Sequence, residues 1–232
     1  MRITRKTISF LFIAFALFGL SLVSGCSHTP AARLATVNYG DFIGAAVNTH
    51  TWETDPTENE QTVIGKTFTG FALWFTHGSR IGGGGRQYDL RTLYYTRTTG
   101  ANGAGTHWLS EEARFHLFCP DKSFAMSAGA EIGYVHEPEA EHADGFMLGS
   151  SFYFSGNNYN EFYTDGTPLL YSAVKGYFVL RSDFGALTPG DVTFTAGVRF
   201  GRERFPVFIE AQLSLAMVWG FGIGTEINIE EF

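Results

Sequence analysis

The sequence is poor in charged residues, in cysteine and in long apolar runs. Charged residues make up 17% of its 232 residues, and acidic residues outnumber basic ones by 23 to 16. This balance excludes nucleic acid as a ligand, because phosphate binding needs a basic surface. Two cysteines are too few for a disulfide framework. After the N-terminal 25 residues no apolar run reaches about 20 residues, so the sequence predicts no membrane-spanning helix beyond them.

Apolar residues instead alternate with polar or small ones, most clearly from residue 191 to the C-terminus. The apolar positions there are Val192, Phe194, Ala196, Val198 and Phe200, then Val207, Ile209, Ala211, Leu213 and Leu215, then Trp219, Phe221, Ile223, Ile227 and Ile229. A period of two is typical of β-strands with one apolar and one polar face. Turn-rich segments separate such stretches along the chain. This spacing predicts an all-β fold, an antiparallel up-and-down β-barrel of about eight to ten strands.

The polar rows indicate which face of the barrel meets lipid. They contain many glycines, of which the chain has 28, and these include Gly129, Gly149, Gly197 and Gly222. Glycine weakens a water-exposed strand, whereas a narrow barrel interior needs small residues beside a few large ones. We therefore predict a transmembrane barrel with apolar rows towards lipid. The alternative is a soluble, lipocalin-like lipoprotein that binds an apolar ligand inside a barrel of the opposite orientation.

The transmembrane interpretation places charged residues of both signs in the barrel interior. The predicted charge network consists of Arg91, Glu112, Arg114, Glu131, Arg199, Glu210 and Glu226, joined by Asp89, Arg97, His116, Lys175 and Arg181. Such charges are tolerated only when they are paired. We expect them to fill a small barrel, and the alternative is a narrow charged pore.

The N-terminus has the features of a bacterial export signal. Arg2, Arg5 and Lys6 precede an apolar run at residues 8–22, and residues 23–26 read Val-Ser-Gly-Cys. This ending resembles the bacterial lipobox, which implies cleavage after residue 25 and acylation of Cys26, with palmitate among the chains. We expect residues 26–35 to form a tether and residues 36–232 the barrel. Ser27 at the second position favours the Gram-negative outer membrane.

A possible chemical site is the sequence His77-Gly78-Ser79. Residues two apart on a strand share a face, and here that face continues Phe71, Leu73 and Phe75 towards lipid. A serine beside a histidine is the nucleophile of many ester-cleaving enzymes. The His-x-Ser spacing resembles that of outer membrane phospholipase A and of the lipid A 3-O-deacylases. The resemblance implies Ser79 as nucleophile and His77 as base. Arg80 replaces their usual asparagine, and Asp89, the nearest candidate to orient His77, has the inward phase.

Two acidic loops are further candidates for binding. The first contains Glu53 and Asp55, and the second runs from His136 to Asp144, with carboxylates and imidazoles that suit a divalent cation or lipopolysaccharide. We assign no metal site and expect no cofactor. Cys119 is expected to pack on an apolar face.

The sequence therefore predicts a lipoprotein of the outer membrane, lipid-anchored at Cys26, whose partners are membrane lipids. Its expected role is structural, in surface interaction, or in the passage of small solutes. The alternatives are a lipid-ester hydrolase that uses Ser79 and His77 and the soluble ligand-binding lipoprotein. The sequence leaves enzymatic activity open, with a non-enzymatic role favoured.

Overall fold

The computed structural model describes residues 35, 40–51, 67–81, 86–98, 105–118, 124–136, 144–156, 168–181, 187–201, 206–215 and 218–229. The predicted signal peptide, Cys26 and most of the tether lie outside these residues, as do Cys119 and both acidic loops apart from His136 and Asp144. The described residues contain no helix long and apolar enough to cross a membrane.

The described residues form ten strands, all of them antiparallel to their neighbours. They are β1 (Gly40–Thr51), β2 (Thr67–Ile81), β3 (Arg86–Thr98), β4 (Gly105–Phe118), β5 (Phe124–His136), β6 (Asp144–Gly156), β7 (Leu169–Arg181), β8 (Leu187–Phe200), β9 (Val207–Ser214) and β10 (Trp219–Asn228). Each strand pairs with the next, and β1 pairs with β10, so that the sheet closes into a barrel. The predicted all-β, up-and-down barrel is confirmed, at the upper end of the expected strand number.

The C-terminal stretch forms two strands and not one long strand. Leu213 of β9 lies opposite Trp219 of β10, with five residues between them in the sequence. The backbone N–H of Ser214 donates to the carbonyl oxygen of Val218 at 2.8 Å. Because Leu213 and Trp219 are both odd-numbered and share a face, the odd-numbered residues face outwards on both strands. This explains why the apolar residues of both strands occur at odd-numbered positions.

His77 and Ser79 both lie within β2. This strand continues to Ile81, and β3 begins at Arg86. Register pairs Ser79 with Tyr88 across the two strands. Ser79 is therefore a strand residue, on the same face as His77.

The apolar rows lie on the outside of the barrel. Exposed large hydrophobic residues occur on every strand, among them Ile43, Phe71, Leu90, Leu109, Ile132, Phe146, Leu170, Phe194, Ile209 and Phe221. A continuous apolar surface around a whole barrel is incompatible with exposure to water and matches the lipid-facing belt of a transmembrane barrel. The soluble alternative required these rows inside and is therefore wrong in its orientation.

Glycines face the interior where a large side chain needs their space. The ring of Tyr171 lies where a β-carbon on Gly197 would be, and the side chains of Ser151 and Glu112 crowd the same position at Gly129. These contacts place small residues directly beside large polar ones. The expectation of a narrow interior is confirmed at both positions.

Candidate functional site

The two ends of the barrel can be distinguished by the chain itself. The first residue of β1 and the last residue of β10 lie at one end, which we call the terminal rim. The connections β1–β2, β3–β4, β5–β6, β7–β8 and β9–β10 lie at the other end, which we call the distal rim. Three groups of side chains are candidates for function. They are the charged interior, a histidine paired with a carboxylate at the terminal rim, and two facing histidines at the distal rim.

The interior carries equal numbers of acidic and basic side chains among the described residues. All seven predicted network residues are buried inside the barrel. The acidic members are Asp89, Glu112, Glu131, Glu210 and Glu226, and the basic members are Arg91, Arg97, Arg114, Lys175 and Arg199. Asp89 has the inward orientation that its phase predicts, and the side chain of Arg181 lies outside the described residues.

One part of this network joins β3, β4 and β6. Arg114 forms an ion pair with Asp89 and donates to its carboxylate through both Nε, at 3.1 Å, and Nη2. The guanidinium also lies 5.2 Å from the ring centre of Tyr153. Tyr153 in turn donates to both carboxylate oxygens of Glu112, at 2.8 and 3.0 Å, and Ser151 donates to the same carboxylate. Each of the two carboxylates therefore accepts hydrogen bonds from more than one donor atom, and Asp89 is paired with a basic side chain.

A second part joins β4, β5 and β7. The Nζ of Lys175 lies 3.1 Å from Oε2 of Glu131. The hydroxyl of Ser110 donates to Oε1 of the same carboxylate at 2.6 Å. Both oxygens of Glu131 are thus occupied, and this satisfies the condition under which a buried carboxylate is tolerated.

The third part involves β2, β3 and β7 to β10. Trp74 donates through Nε1 to Glu226 at 2.8 Å, and Arg199 pairs with the same carboxylate at 3.5 Å. Arg91 lies 4.3 Å from the ring centre of Trp74, a cation–π contact.

Glu210 accepts hydrogen bonds from Tyr171 at 3.0 Å and from Gln212 at 2.6 Å. Aromatic side chains therefore connect the charges and fill the space between them.

A residue of the tether reaches the interior at the terminal rim. Ala35 is completely buried and packs with Ala125, Tyr153 and Ala173, all of them inward-facing. Its backbone N–H donates to the hydroxyl of Ser155 at 3.0 Å. The chain therefore enters the mouth of the barrel before β1 begins.

The His77–Ser79 face has a carboxylate that the sequence did not identify. Asp41 of β1 lies opposite His77 of β2, and its Oδ1 is 2.6 Å from the Nδ1 of His77. Both side chains lie on the outer face, with His77 49% and Asp41 32% exposed. The bond to Nδ1 leaves Nε2 for a substrate or a nucleophile. Among the hydrogen bonds of the described residues, none joins His77 to Ser79.

Asp41 was missed because it lies 36 residues from His77 in the sequence. Its outward phase matches that of Ile43 and Val47, which is the signal that could have suggested it. Asp89 was considered in its place, but it faces inwards and pairs with Arg114. Three or more His, Cys, Asp or Glu side chains suited to a metal ion are not grouped anywhere in the described part of the chain.

Comparison with known proteins confirms the fold. The sequence matches no protein-family model and no curated protein. The structure is similar to that of an outer membrane channel from Pseudomonas putida F1, with a TM-score of 0.51 and 8% identity, over 87% of this chain and 99% of that one. Because the identity is low, this likeness shows a barrel fold of the outer-membrane type and no activity.

Two further solved structures are more distant. One is the β domain of the Bordetella autotransporter BrkA, with a TM-score of 0.41 and 12% identity, over 83% of this chain and 100% of that one. The other is the outer membrane protein OprG from Pseudomonas aeruginosa, with a TM-score of 0.33 and 13% identity, over 84% and 100%. The resemblance to outer membrane phospholipase A gains no support from these structures.

The Asp89–Arg114 pair allows a direct test of the interior. We expect Arg114→Gln to lower the free energy of unfolding by about 3–5 kcal/mol, because Asp89 loses two charge-assisted hydrogen bonds in a buried site. Denaturant titration of the protein in lipid vesicles measures this change. The double variant Asp89→Asn/Arg114→Gln removes both charges and should recover more than half of the loss. A double variant as unstable as the sum of the two single variants would contradict the pairing.

Proposed function

We propose that the protein is an outer-membrane barrel lipoprotein with a structural role, whose interior is closed to solutes and whose N-terminus is acylated at Cys26. The paired charge network that fills the barrel is the observation that carries this proposal. It favours the structural role over the passage of small solutes. Outer-membrane lipids are the proposed partners.

The network supports a closed interior because its charges are balanced and held by directed bonds. Five carboxylates and five basic side chains are buried in the interior. Asp89, Glu131 and Glu226 form ion pairs there, and Tyr153, Tyr171 and Trp74 donate hydrogen bonds to Glu112, Glu210 and Glu226. An ion that crosses the barrel would have to displace these bonds and leave buried charges without their partners, which is costly. A barrel of ten strands also has little room beyond its own side chains.

The burial of Ala35 supports the proposed anchor. Nine residues after Cys26, the chain is held inside the terminal rim by the bond to Ser155. This length of chain spans at most about 30 Å, so acyl chains on Cys26 remain close to the membrane surface at that rim. The terminal rim is then the periplasmic side. The tether would stabilise the barrel and cover its mouth at the same time.

A closed interior predicts little ion flow. We expect the full chain, inserted into planar lipid bilayers, to give no stable conductance steps. The double variant Arg114→Ala/Tyr153→Ala removes two large side chains that contact each other, and it should conduct measurably if it folds. Heat-dependent mobility in gels monitors folding of both proteins. Stable, porin-like steps from the unaltered protein would overturn the proposal of a closed barrel.

Acylation is tested separately. Cells that express the protein with labelled palmitate should incorporate label into the full chain, and Cys26→Ser should abolish the incorporation. Heat-dependent mobility of Cys26→Ser should remain, because the barrel does not need the acyl chains to close. The variant Cys119→Ser serves as the matched control and should keep its label. Label that persists in Cys26→Ser would rule out this anchor.

A second candidate function is cleavage of lipid esters at the terminal rim. The hydrogen bond between Asp41 and His77 favours it, because a carboxylate on Nδ1 fixes the orientation and the tautomer of the imidazole. His77 would then act as base through Nε2, with Ser79 on the same face as the nucleophile. Its position at the terminal rim directs this site to phospholipids of the periplasmic leaflet.

The hydrolase proposal is tested with purified protein in phospholipid vesicles. We expect release of fatty acid to be abolished in Ser79→Ala and reduced about 10²- to 10⁴-fold in His77→Ala, the usual contribution of a general base. Ser172→Ala changes another outward serine and should leave activity unchanged. Activity that survives Ser79→Ala, or no activity in the unaltered protein, would remove this candidate.

A further inference from the structure

Two histidines lie side by side on the outer face at the distal rim. His107, near the start of β4, is directly opposite His136, the last residue of β5. Their rings are 6.3 Å apart between centres and nearly parallel, with an angle of 22°. Side chains directly opposite each other on antiparallel strands have β-carbons about 5 Å apart. The register of β4 and β5 therefore holds two imidazoles at a fixed and short separation.

In both histidines, the hydrogen bond to a neighbouring side chain is formed by Nδ1. Oδ1 of Asp144, opposite His136 on β6, lies 2.6 Å from Nδ1 of His136. The hydroxyl of Tyr94 lies 2.9 Å from Nδ1 of His107. When each Nδ1 carries the proton, the lone pair of each imidazole is on Nε2. Histidines that bind metals usually donate their other N–H to a carboxylate or a similar acceptor, and this is the arrangement at His136.

We propose that His107 and His136 bind a divalent transition metal ion, of the zinc, copper or nickel type, through their Nε2 atoms. Asp144 and Tyr94 orient the two rings, and water completes the coordination. The carboxylate of Asp144 adds a negative charge beside the ion. Because the protein supplies two ligands, this site needs no cluster of three or more metal-binding residues.

Binding of a metal ion by both rings would require movement of the two side chains and not of the strands. Two zinc–nitrogen bonds of about 2.1 Å at a tetrahedral angle place the nitrogens about 3.4 Å apart. Rotation about the side-chain torsions of two facing rings brings Nε2 atoms towards each other while the strands stay in place. The side chains of His136 and Asp144 are 43% and 47% exposed, so an ion can reach them from the surface.

The ligand atoms select the class of ion. Imidazole nitrogen suits zinc, copper and nickel, whereas magnesium and calcium prefer oxygen ligands. An anion such as a phosphate group is disfavoured, because the carboxylate of Asp144 lies beside His136. The sequence suggested a divalent cation at the acidic loop that follows His136. The structure points instead to His136, at the end of β5 just before that loop, and to His107 on the neighbouring strand β4.

The test is calorimetric titration of Zn²⁺ into the folded, tag-free protein in detergent. We expect one ion per chain, and at least a tenfold loss of affinity in His107→Gln and in His136→Gln. Asp144→Asn should weaken binding about 10- to 100-fold, the usual effect of losing the partner of a ligating histidine. Ca²⁺ and Mg²⁺ should not compete at equal concentration. Spectra of the Cu²⁺-loaded protein should show coupling to two imidazole nitrogens.

The chain offers a matched control in His77. It also has a carboxylate on Nδ1 at 2.6 Å and faces outwards, but its neighbour on β3 is Leu90 and not a histidine. His77→Gln should therefore leave Zn²⁺ affinity unchanged. The proposal is overturned if the protein binds no Zn²⁺, if His77→Gln weakens binding as much as His107→Gln, or if Cu²⁺ spectra show fewer than two nitrogens. Heat-dependent gel mobility verifies that each variant is folded.

Discussion

Closure of the sheet between β1 and β10 is the constraint on which the rest of the structure depends. The pairing runs from Phe42 opposite Asn228 to Thr51 opposite Trp219, so neither strand has a free edge. In lipid, an unpaired backbone group costs several kcal/mol, and a barrel without edges avoids that cost. Closure also gives the sheet one inner face and one outer face. Successive residues of a strand then face lipid and the interior in turn, so that odd or even position along the strand decides where a side chain lies.

The interior shows what this separation requires of the side chains. Charges that face inwards have no lipid and little water, so each carboxylate needs donors supplied by other strands. Glu112 receives them from β6, Glu131 from β4 and β7, and Glu226 from β2 and β8. Most of these bonds therefore connect strands that are separated by one other strand in the sheet. Backbone pairing holds adjacent strands together, and the interior side chains connect strands beyond their immediate neighbours.

The sequence predicted well which side chains face the interior. It predicted poorly which residues meet across strands that are distant in the sequence. Alternation alone identified the inward charges, because Glu131 and Glu210 each lie between outward apolar residues and the direction of a side chain on a strand is a local property. The partner of His77 was not predictable in the same way. It depends on the register between β1 and β2, which are separated by 15 residues, and alternation within each strand does not determine that register. The same holds for His107 and His136, whose pairing across β4 and β5 appears only when the register is known.

The two outward histidine–carboxylate pairs show how neighbours decide chemistry on such a surface. Asp41–His77 and His136–Asp144 have the same 2.6 Å bond to Nδ1. Beside His77 lies Leu90, and Ser79 follows on the same strand, which suits acyl transfer. Beside His136 lies a second imidazole, which suits a metal ion. Both proposed sites lie on the outer face near the two rims, away from the charged interior.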